Sequence, residues 1–269
     1  MTMEPPSFRY VHVGLEAAGR VAVVKYNRPK TGNSLHPQLL SDMLSALKWA
    51  DAQPDIRVIV QTGEGRFFCT GMELVDTEAP LSFGTGHEFH TLNKILITTE
   101  KIIIAAVNGP AAGYGVSSLA LFDLVYSVPN AYFFTPFVKW GMTTEGASSF
   151  TFARLMGHQK AAALCLAGET ISAEEAERLN LVTKILPNDN NDFLANVLQI
   201  ACRIANSPPG ALKTTKKLMK QPVLQDLLDA NDRECAIIQK ERFGSEEYVE
   251  AIRQFKVEQE HKRQSKSKL

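Results

Sequence analysis

The chain opens on two apolar stretches of strand character. Phe8 to Val13 and Val21 to Tyr26 alternate or cluster β-branched and aromatic residues on either side of Gly19, the pattern of a hairpin. The period changes beyond Asn27-Arg28-Pro29. From Pro37 to Ala52 the side chains Leu40, Met43, Leu44 and Leu47 recur at helical spacing, which predicts an amphipathic helix. Short apolar runs at Arg57 to Gln61, Ile102 to Val107 and Leu124 to Val128 read as strands, with a helix expected over Val116 to Phe122. Strands separated by helices predict an α/β core whose connections cross over in one hand.

From about Ser148 the strand signal nearly vanishes. Helical patterns occupy Ser148 to Leu155, Lys160 to Ala167, Ala173 to Leu179, Asp192 to Ala205, Gly210 to Met219 and Leu224 to Phe243. Only Val182 to Ile185 still looks like a strand. Ser172-Ala173-Glu174-Glu175 is a capping box that opens one of the helices. The pattern predicts a layered core over residues 1–200, a helical region over 201–266 and a separate terminal tripeptide over 267–269.

Composition narrows the function classes. A chain of 269 residues, 45% hydrophobic and 22% charged, is ordinary globular composition with enough apolar mass for a sizeable core. The formal net charge is zero, so no global field favours nucleic acid or an anionic membrane. Cys69, Cys165, Cys202 and Cys235 are scattered without a C-x-x-C pair and read as buried small hydrophobes in a reducing compartment, with no metal site expected. Met1 to Tyr10 lacks the apolar centre of a secretory signal, and Ile102 to Val107 is too short to span a bilayer. A soluble protein is expected.

The chain closes on Ser267-Lys268-Leu269, the terminal tripeptide read by the peroxisomal import receptor. The polar run from Gln259 onward reads as a frayed, accessible tail. The expected location is therefore the peroxisomal matrix.

Several familiar chemistries are excluded. There is no G-x-S-x-G elbow for a serine nucleophile. His87-Glu88-Phe89-His90 is not H-E-x-x-H, and its histidines are expected at the surface. Gly109-Pro110-Ala111-Ala112-Gly113-Tyr114-Gly115 fits neither a dinucleotide fingerprint nor a phosphate-binding loop. It does mark a strand ending in a tight turn with a helix directly after, where backbone N–H groups are free to meet negative charge. The segment from Arg66 to Leu74 is a second junction of this kind and turns on Gly71.

Taken together, these segments resemble the enoyl-CoA hydratase/isomerase (crotonase) superfamily. The resemblance spans Asn27-Arg28-Pro29, Asn33-Ser34-Leu35, Gly65-Arg66-Phe67-Phe68, Gly71-Met72-Glu73 and Asn108-Gly109-Pro110-Ala111. It continues through Gly113-Tyr114-Gly115, Asp123-Leu124-Val125-Tyr126 and Phe134-Thr135-Pro136. It implies a crotonase-type ββα spiral core with a C-terminal helical region that assembles homotrimers or homohexamers. It also implies an acyl-CoA substrate and an oxyanion hole made by the backbone N–H groups of Met72 and Tyr114. Each such donor is typically worth ~3 kcal/mol in the transition state. Thr70, Gly71, Met72, Glu73, Leu74 and Tyr114 are the implied substrate-binding positions. Met72 and Glu73 depart from the Ala and Asp usual in the family, which leaves the N–H in place and alters the pocket beside the thioester.

The acid–base residues separate reactions that share this fold. The two glutamates of a family hydratase fall on Ser117 and Phe137, neither of which can serve as a carboxylate base. A different carboxylate stands in Trp140-Gly141-Met142-Thr143-Thr144-Glu145-Gly146. Alone, Glu145 would suit a helix start, where the dipole favours it. Its segment resembles the T-E-G segment of peroxisomal Δ3,Δ2-enoyl-CoA isomerases, in which this Glu is the catalytic base. The implied reaction removes a C2 proton from a 3-enoyl-CoA, holds the dienolate at the two N–H groups and returns the proton at C4. It needs no metal, nicotinamide or flavin; coenzyme A is part of the substrate. Dienoyl-CoA isomerisation, an atypical hydration and a non-catalytic acyl-CoA-binding role remain as alternatives. Lys213, Lys216, Lys217 and Lys220 form a basic cluster that reads first as a solvated helix face and second as a contact for CoA phosphates, as does Lys30.

Overall fold

The computed structural model describes residues 4–74, 81–189 and 192–266. Nine strands and ten α-helices are described, and the core is built on a six-stranded sheet. The chain enters by a hairpin, β1 (Val11–Glu16) against β2 (Val21–Tyr26), closed by a 3-10 turn at Ala17–Gly19. Pairing therefore runs three residues later in the first strand than the Phe8–Val13 pattern suggested. Helix α1 (Pro37–Ala52) occupies the expected span. Pro37 starts it with a preset φ, and the His36 ring accepts from the Gln38 N–H at 3.1 Å. Leu39, Leu40, Met43 and Leu47 are each at most 2% exposed. Full burial of such a side chain is worth about 1.5–3 kcal/mol, so the apolar stripe fixes the face that α1 turns inward.

Beyond α1 the sheet is parallel. It continues through β3 (Val58–Gly63), β4 (Ile102–Val107), β6 (Leu124–Ser127) and β9 (Lys184–Ile185), in the order β1-β2-β3-β4-β6-β9. Inner parallel strands are covered on both faces, which is why they appear in sequence as unbroken apolar runs. Helix α2 (Glu88–Thr98) crosses between β3 and β4. A second, three-stranded sheet joins β5 (Ala111–Ala112), β7 (Tyr132–Phe134) and β8 (Ile171–Ser172). Strands this short carry no period of their own, and the sequence reading passed over them. Helix α3 (Tyr114–Ser117) follows β5 directly and runs into a 3-10 turn at Ser118–Leu121, starting two residues before the expected Val116.

The remaining chain is mostly helical: α4 (Ser148–Met156), α5 (His158–Cys165), α6 (Ala173–Arg178), α7 (Phe193–Ala205), α8 (Pro209–Lys220), α9 (Leu224–Ile237) and α10 (Glu246–Lys266). Ser172 caps α6 by accepting the Glu175 N–H at 3.2 Å. The helix expected to reach Phe243 ends at Ile237 and passes into a π-turn over Ile238–Arg242. Helix α10 corrects the expectation of a frayed tail, because it continues through Gln259 to Lys266. Ser267-Lys268-Leu269 lies outside the described residues. Ala201 and Ala205 of α7 and Leu227, Ala230 and Cys235 of α9 belong to the same core cluster as the sheet. No described helix is long and apolar enough to cross a membrane.

Candidate active site

Two loops leave the carboxyl ends of neighbouring strands and are tied to each other before they reach the site. Asn108, just past β4, accepts the Gly63 N–H at 3.0 Å and donates to the Gly65 carbonyl at 2.8 Å. Asn33, in the left-handed region at φ 57°, donates to the carbonyls of Glu64, Phe67 and Phe68 at 3.0, 2.8 and 3.2 Å. Buried carbonyls left without donors would cost about 1–3 kcal/mol each, so this one amide does the work of a strand partner. The Asn33-Ser34-Leu35 motif is thus a stitch for the loop after β3.

The stitch determines where the Met72 N–H points. Leu35 donates to the Gly71 carbonyl at 2.7 Å, and the Glu73 N–H donates to the Leu35 carbonyl at 3.0 Å. In such a parallel bridge the intervening residue turns its own N–H to the other side. Among the described residues the Met72 N–H has no acceptor. Tyr114 is the first residue of α3, where a helix leaves its N–H without an internal partner. It also has no acceptor among the described residues.

Glycine lets these two segments meet. Gly71 has φ 78°, and a Cβ there would lie 2.9 Å from the Ala112 carbonyl oxygen and 3.3 Å from the Tyr114 nitrogen. A Cβ on Gly113 would lie 3.8 Å from Oε1 of Glu145. Two unpaired N–H groups and one carboxylate therefore surround a common space. That space is a small cavity of about 60 Å³. Thr70, Gly71, Met72 and Leu74 form one side, Gly113, Pro136 and Phe137 another, and Trp140, Met142 and Glu145 complete it.

Glu145 sits in irregular backbone three residues before α4, not on the helix start as the sequence suggested. Its carbonyl accepts from the N–H and hydroxyl of Ser148 at 3.2 and 2.7 Å, which closes the turn. The side chain is 6% exposed, and its carboxyl is pushed up to about 8, first by burial and then by the negative charge of Glu234. An acid tuned this way is basic enough to take a weakly acidic proton at neutral pH. Ser117 is fully buried, its hydroxyl 3.2 Å from where a Cβ on Gly146 would lie, and Phe137 turns an apolar wall to the cavity.

Other residues named from sequence are positioned elsewhere. Glu73 does not line the cavity; Arg28 holds its carboxylate at 2.8 and 3.3 Å. The Tyr114 side chain points away, with its hydroxyl donating to Asn93 at 2.7 Å. His90 is buried, contrary to its expected surface position, and its Nε2 lies 2.6 Å from Asp232. The lysine cluster is likewise not a simple solvated face. Lys216 is buried against Asp123 at 2.7 Å. Lys220 donates to the Leu96 carbonyl at 3.0 Å, with burial and the Lys216 charge lowering it to about 8. Both line a larger cavity of about 590 Å³ between α4, α7 and α8, which contains neither Glu145 nor the glycine turns. Lys30 is exposed.

Sequence reasoning missed the wall of the cavity. Trp140 stacks edge-on against Phe255 of α10 at 4.8 Å, so the C-terminal helix backs the site of its own chain. The signal available was the aromatic pair itself, hidden because α10 has too weak an apolar stripe to announce a packed helix. Glu234, on α9, was also missed.

Residues 16–264 match the enoyl-CoA hydratase/isomerase family. Enoyl-CoA delta isomerase 2 of Rattus norvegicus is 32% identical over 247 residues, which cover 88% of this chain and 61% of the rat protein. The chain thus spans less than two thirds of that relative. Enoyl-CoA delta isomerase 3, peroxisomal, of Mus musculus is 31% identical over 241 residues, covering 87% of this chain and 75% of the mouse protein. The crystal structure of an enoyl-CoA hydratase/isomerase from Pseudoalteromonas atlantica T6c matches with a TM-score of 0.85 at 29% identity, over 93% of this chain and 98% of that one. A sequence match over most of the chain and a fold shared almost end to end agree with the motifs around Gly71 and Gly113: the chain belongs to the enoyl-CoA hydratase/isomerase (crotonase) family.

Proposed function

We propose that this protein is a Δ3,Δ2-enoyl-CoA isomerase. The observation that carries the reading is that Glu145 is the one carboxylate among the described residues lining a cavity that also holds the Met72 and Tyr114 segments. Hydration by the family route needs two carboxylates across a water, and Ser117 and Phe137 occupy those positions. Isomerisation needs one.

The N–H groups of Met72 and Tyr114 would donate to the thioester oxygen and stabilise it as negative charge develops. Preorganised donors of this kind cost no reorganisation during the reaction. Glu145 takes a proton from C2 of the 3-enoyl-CoA; the electron pair delocalises over the carbonyl and the C3–C4 double bond. The same carboxylic acid then delivers the proton to C4, leaving the conjugated 2-enoyl-CoA with no net change in atoms. Apolar Phe137, Trp140 and Met142 keep water from the dienolate. The reaction uses no metal, nicotinamide or flavin.

The location we propose is the peroxisomal matrix, supported by the terminal Ser267-Lys268-Leu269 and by the mouse relative named peroxisomal. Import would run through the receptor that reads that tripeptide. A homotrimer or homohexamer is the assembly proposed, in keeping with the family resemblance.

The test is a substrate panel followed by mass spectrometry and conjugated-thioester absorbance. Conversion of 3-enoyl-CoA to 2-enoyl-CoA without net water addition supports the reading. Turnover of a dienoyl-CoA alone, efficient hydration of 2-enoyl-CoA, or acyl-CoA binding without any turnover would each replace it.

A further inference from the structure

Glu234 reaches the site from α9, far along the chain from every motif in the active-site loops. Its Oε2 accepts the Ala147 N–H at 2.6 Å and its Oε1 accepts the Ser149 N–H at 2.7 Å. These donors follow Glu145 directly in sequence and lead into α4. The turn between them is strained for an L-residue, since Gly146 has φ 64° and Ala147 has φ 58°. A left-handed alanine persists only where the surroundings fix it. Glu234 does the fixing, and at a cost, because it is only 4% exposed and has no cation within ion-pair distance among the described residues. A neutral Ser or Asn commonly caps a helix start without burying a charge. The charge is the feature that a cap alone does not require.

We propose that Glu234 is a positioning residue for Glu145: as a buried carboxylate on α9 it clamps the turn that aims the Glu145 carboxyl into the cavity. Its negative charge also opposes the ionisation of Glu145. The inference rests on Glu145 acting as the base.

The surroundings isolate this effect. The titratable side chains facing Glu145 are Cys69 before the Gly71 turn, Tyr114 of α3, and Glu234 and Cys235 of α9. Burial pushes both thiols up to about 12 and the phenol well above its usual range, so near neutral pH these are uncharged. Asp232 acts on Cys235 but is engaged by His90, and Arg233 draws Glu234 toward its charged form. Burial leaves the Glu234 carboxyl raised on balance, and its N–H partners offset only part of that rise. Both Glu234 oxygens accept N–H bonds, which favours its charged form, whereas among the described residues no donor meets the Glu145 side chain. Glu234 is therefore the ionised member and Glu145 the one that holds and releases a proton.

The experiment titrates Glu145 by NMR of protein carrying carboxyl-labelled glutamate, with the resonance assigned by its loss in Glu145→Gln, and measures kcat and KM for a 3-enoyl-CoA in parallel. In Glu234→Gln the Glu145 midpoint falls by about one pH unit or more, as expected when a like charge is removed. In the same variant kcat falls about tenfold or more while KM moves little, because the base is misaimed rather than the substrate lost. Glu234→Asp keeps the charge and shortens the reach, so the midpoint stays near that of the wild type while kcat still falls. An unmoved midpoint in folded Glu234→Gln, or wild-type kcat in Glu234→Asp, overturns the proposal. The titration needs no turnover. A shifted midpoint in a protein that converts no enoyl-CoA would sink the isomerase reading alone, and an unmoved midpoint in an active isomerase would sink the Glu234 proposal alone.

Discussion

Arg28 grips Glu73 through both terminal guanidinium nitrogens, at 2.8 and 3.3 Å, with the two side chains only 12% and 14% exposed. The Arg28 Nη1 that makes the shorter of these bonds also donates to the Ser34 carbonyl at 3.0 Å. This pair fastens the Met72 segment to the chain entering α1, and it keeps the second acidic residue near the site occupied.

Glu73→Gln should therefore act on stability and leave proton transfer intact. Breaking a largely buried pair by neutralising one partner typically costs about 1–3 kcal/mol. A lowered thermal midpoint with kcat on 3-enoyl-CoA within a few-fold of wild type is the expected result. Loss of turnover with an unchanged melt would move the base from Glu145 to Glu73.

Gly71→Ala tests the close approach of the two N–H segments. A Cβ at this position, besides being strained at φ 78°, would press on the Ala112 carbonyl and the Tyr114 nitrogen. Backbone contacts cannot give way as a flexible side chain can, so the two donors must separate. Displacing one donor of an oxyanion-stabilising pair costs about 10²–10³ in kcat. The expected variant folds, binds an unreactive acyl-CoA and turns over at least that much more slowly. Wild-type kcat would show that the N–H groups do not act together.

Much of this architecture is legible from residues alone, for physical reasons that also explain the failures. Strands β3 and β4 are buried on both faces and so appear as the runs Val58-Ile59-Val60 and Ile102-Ile103-Ile104. Helix α1 shows its stripe because one face is core and the other solvent. Gly71 is visible because only glycine tolerates the close approach to the Ala112 carbonyl, and Gly113 because its φ of 51° disfavours a side chain. Helix α10 was hidden since its apolar residues, Tyr248, Val249, Ile252, Phe255 and Val257, are scattered among charged and polar ones and form no clear stripe. His90 looked like a surface residue because its partner Asp232 lies 142 positions away. Glu234 has the same problem: its contacts with Ala147 and Ser149 are made by tertiary packing, and no local pattern encodes them.

Glu145 gives the protein a stability signature that does not depend on substrate. Its carboxyl is pushed up to about 8 in the folded protein, by burial and then the Glu234 charge, against an ordinary 4.5. Below the lower value both states are protonated and the full stability is present. As pH rises the unfolded chain ionises while the folded one stays protonated, so stability falls by about 1.4 kcal/mol per pH unit until the folded carboxyl also ionises. Glu145→Gln cannot titrate. Its thermal midpoint should therefore gain on the wild type steadily between about pH 5 and pH 8, and the difference should level off above that. Parallel curves over the whole range would mean that Glu145 has an ordinary carboxyl.

Glu145 is the residue that moves the proton, and kcat of Glu145→Gln on a 3-enoyl-CoA is the sharpest test of that role. The substitution keeps size and polarity but removes the base, whose general acid–base contribution is typically about 10²–10⁴-fold. The measurement is a full kinetic profile against wild type, alongside titration with an unreactive acyl-CoA. The expected result is that kcat falls by at least the lower of those factors while acyl-CoA affinity stays nearly unchanged. Isomerisation by Glu145→Gln within a few-fold of the wild-type kcat would contradict it.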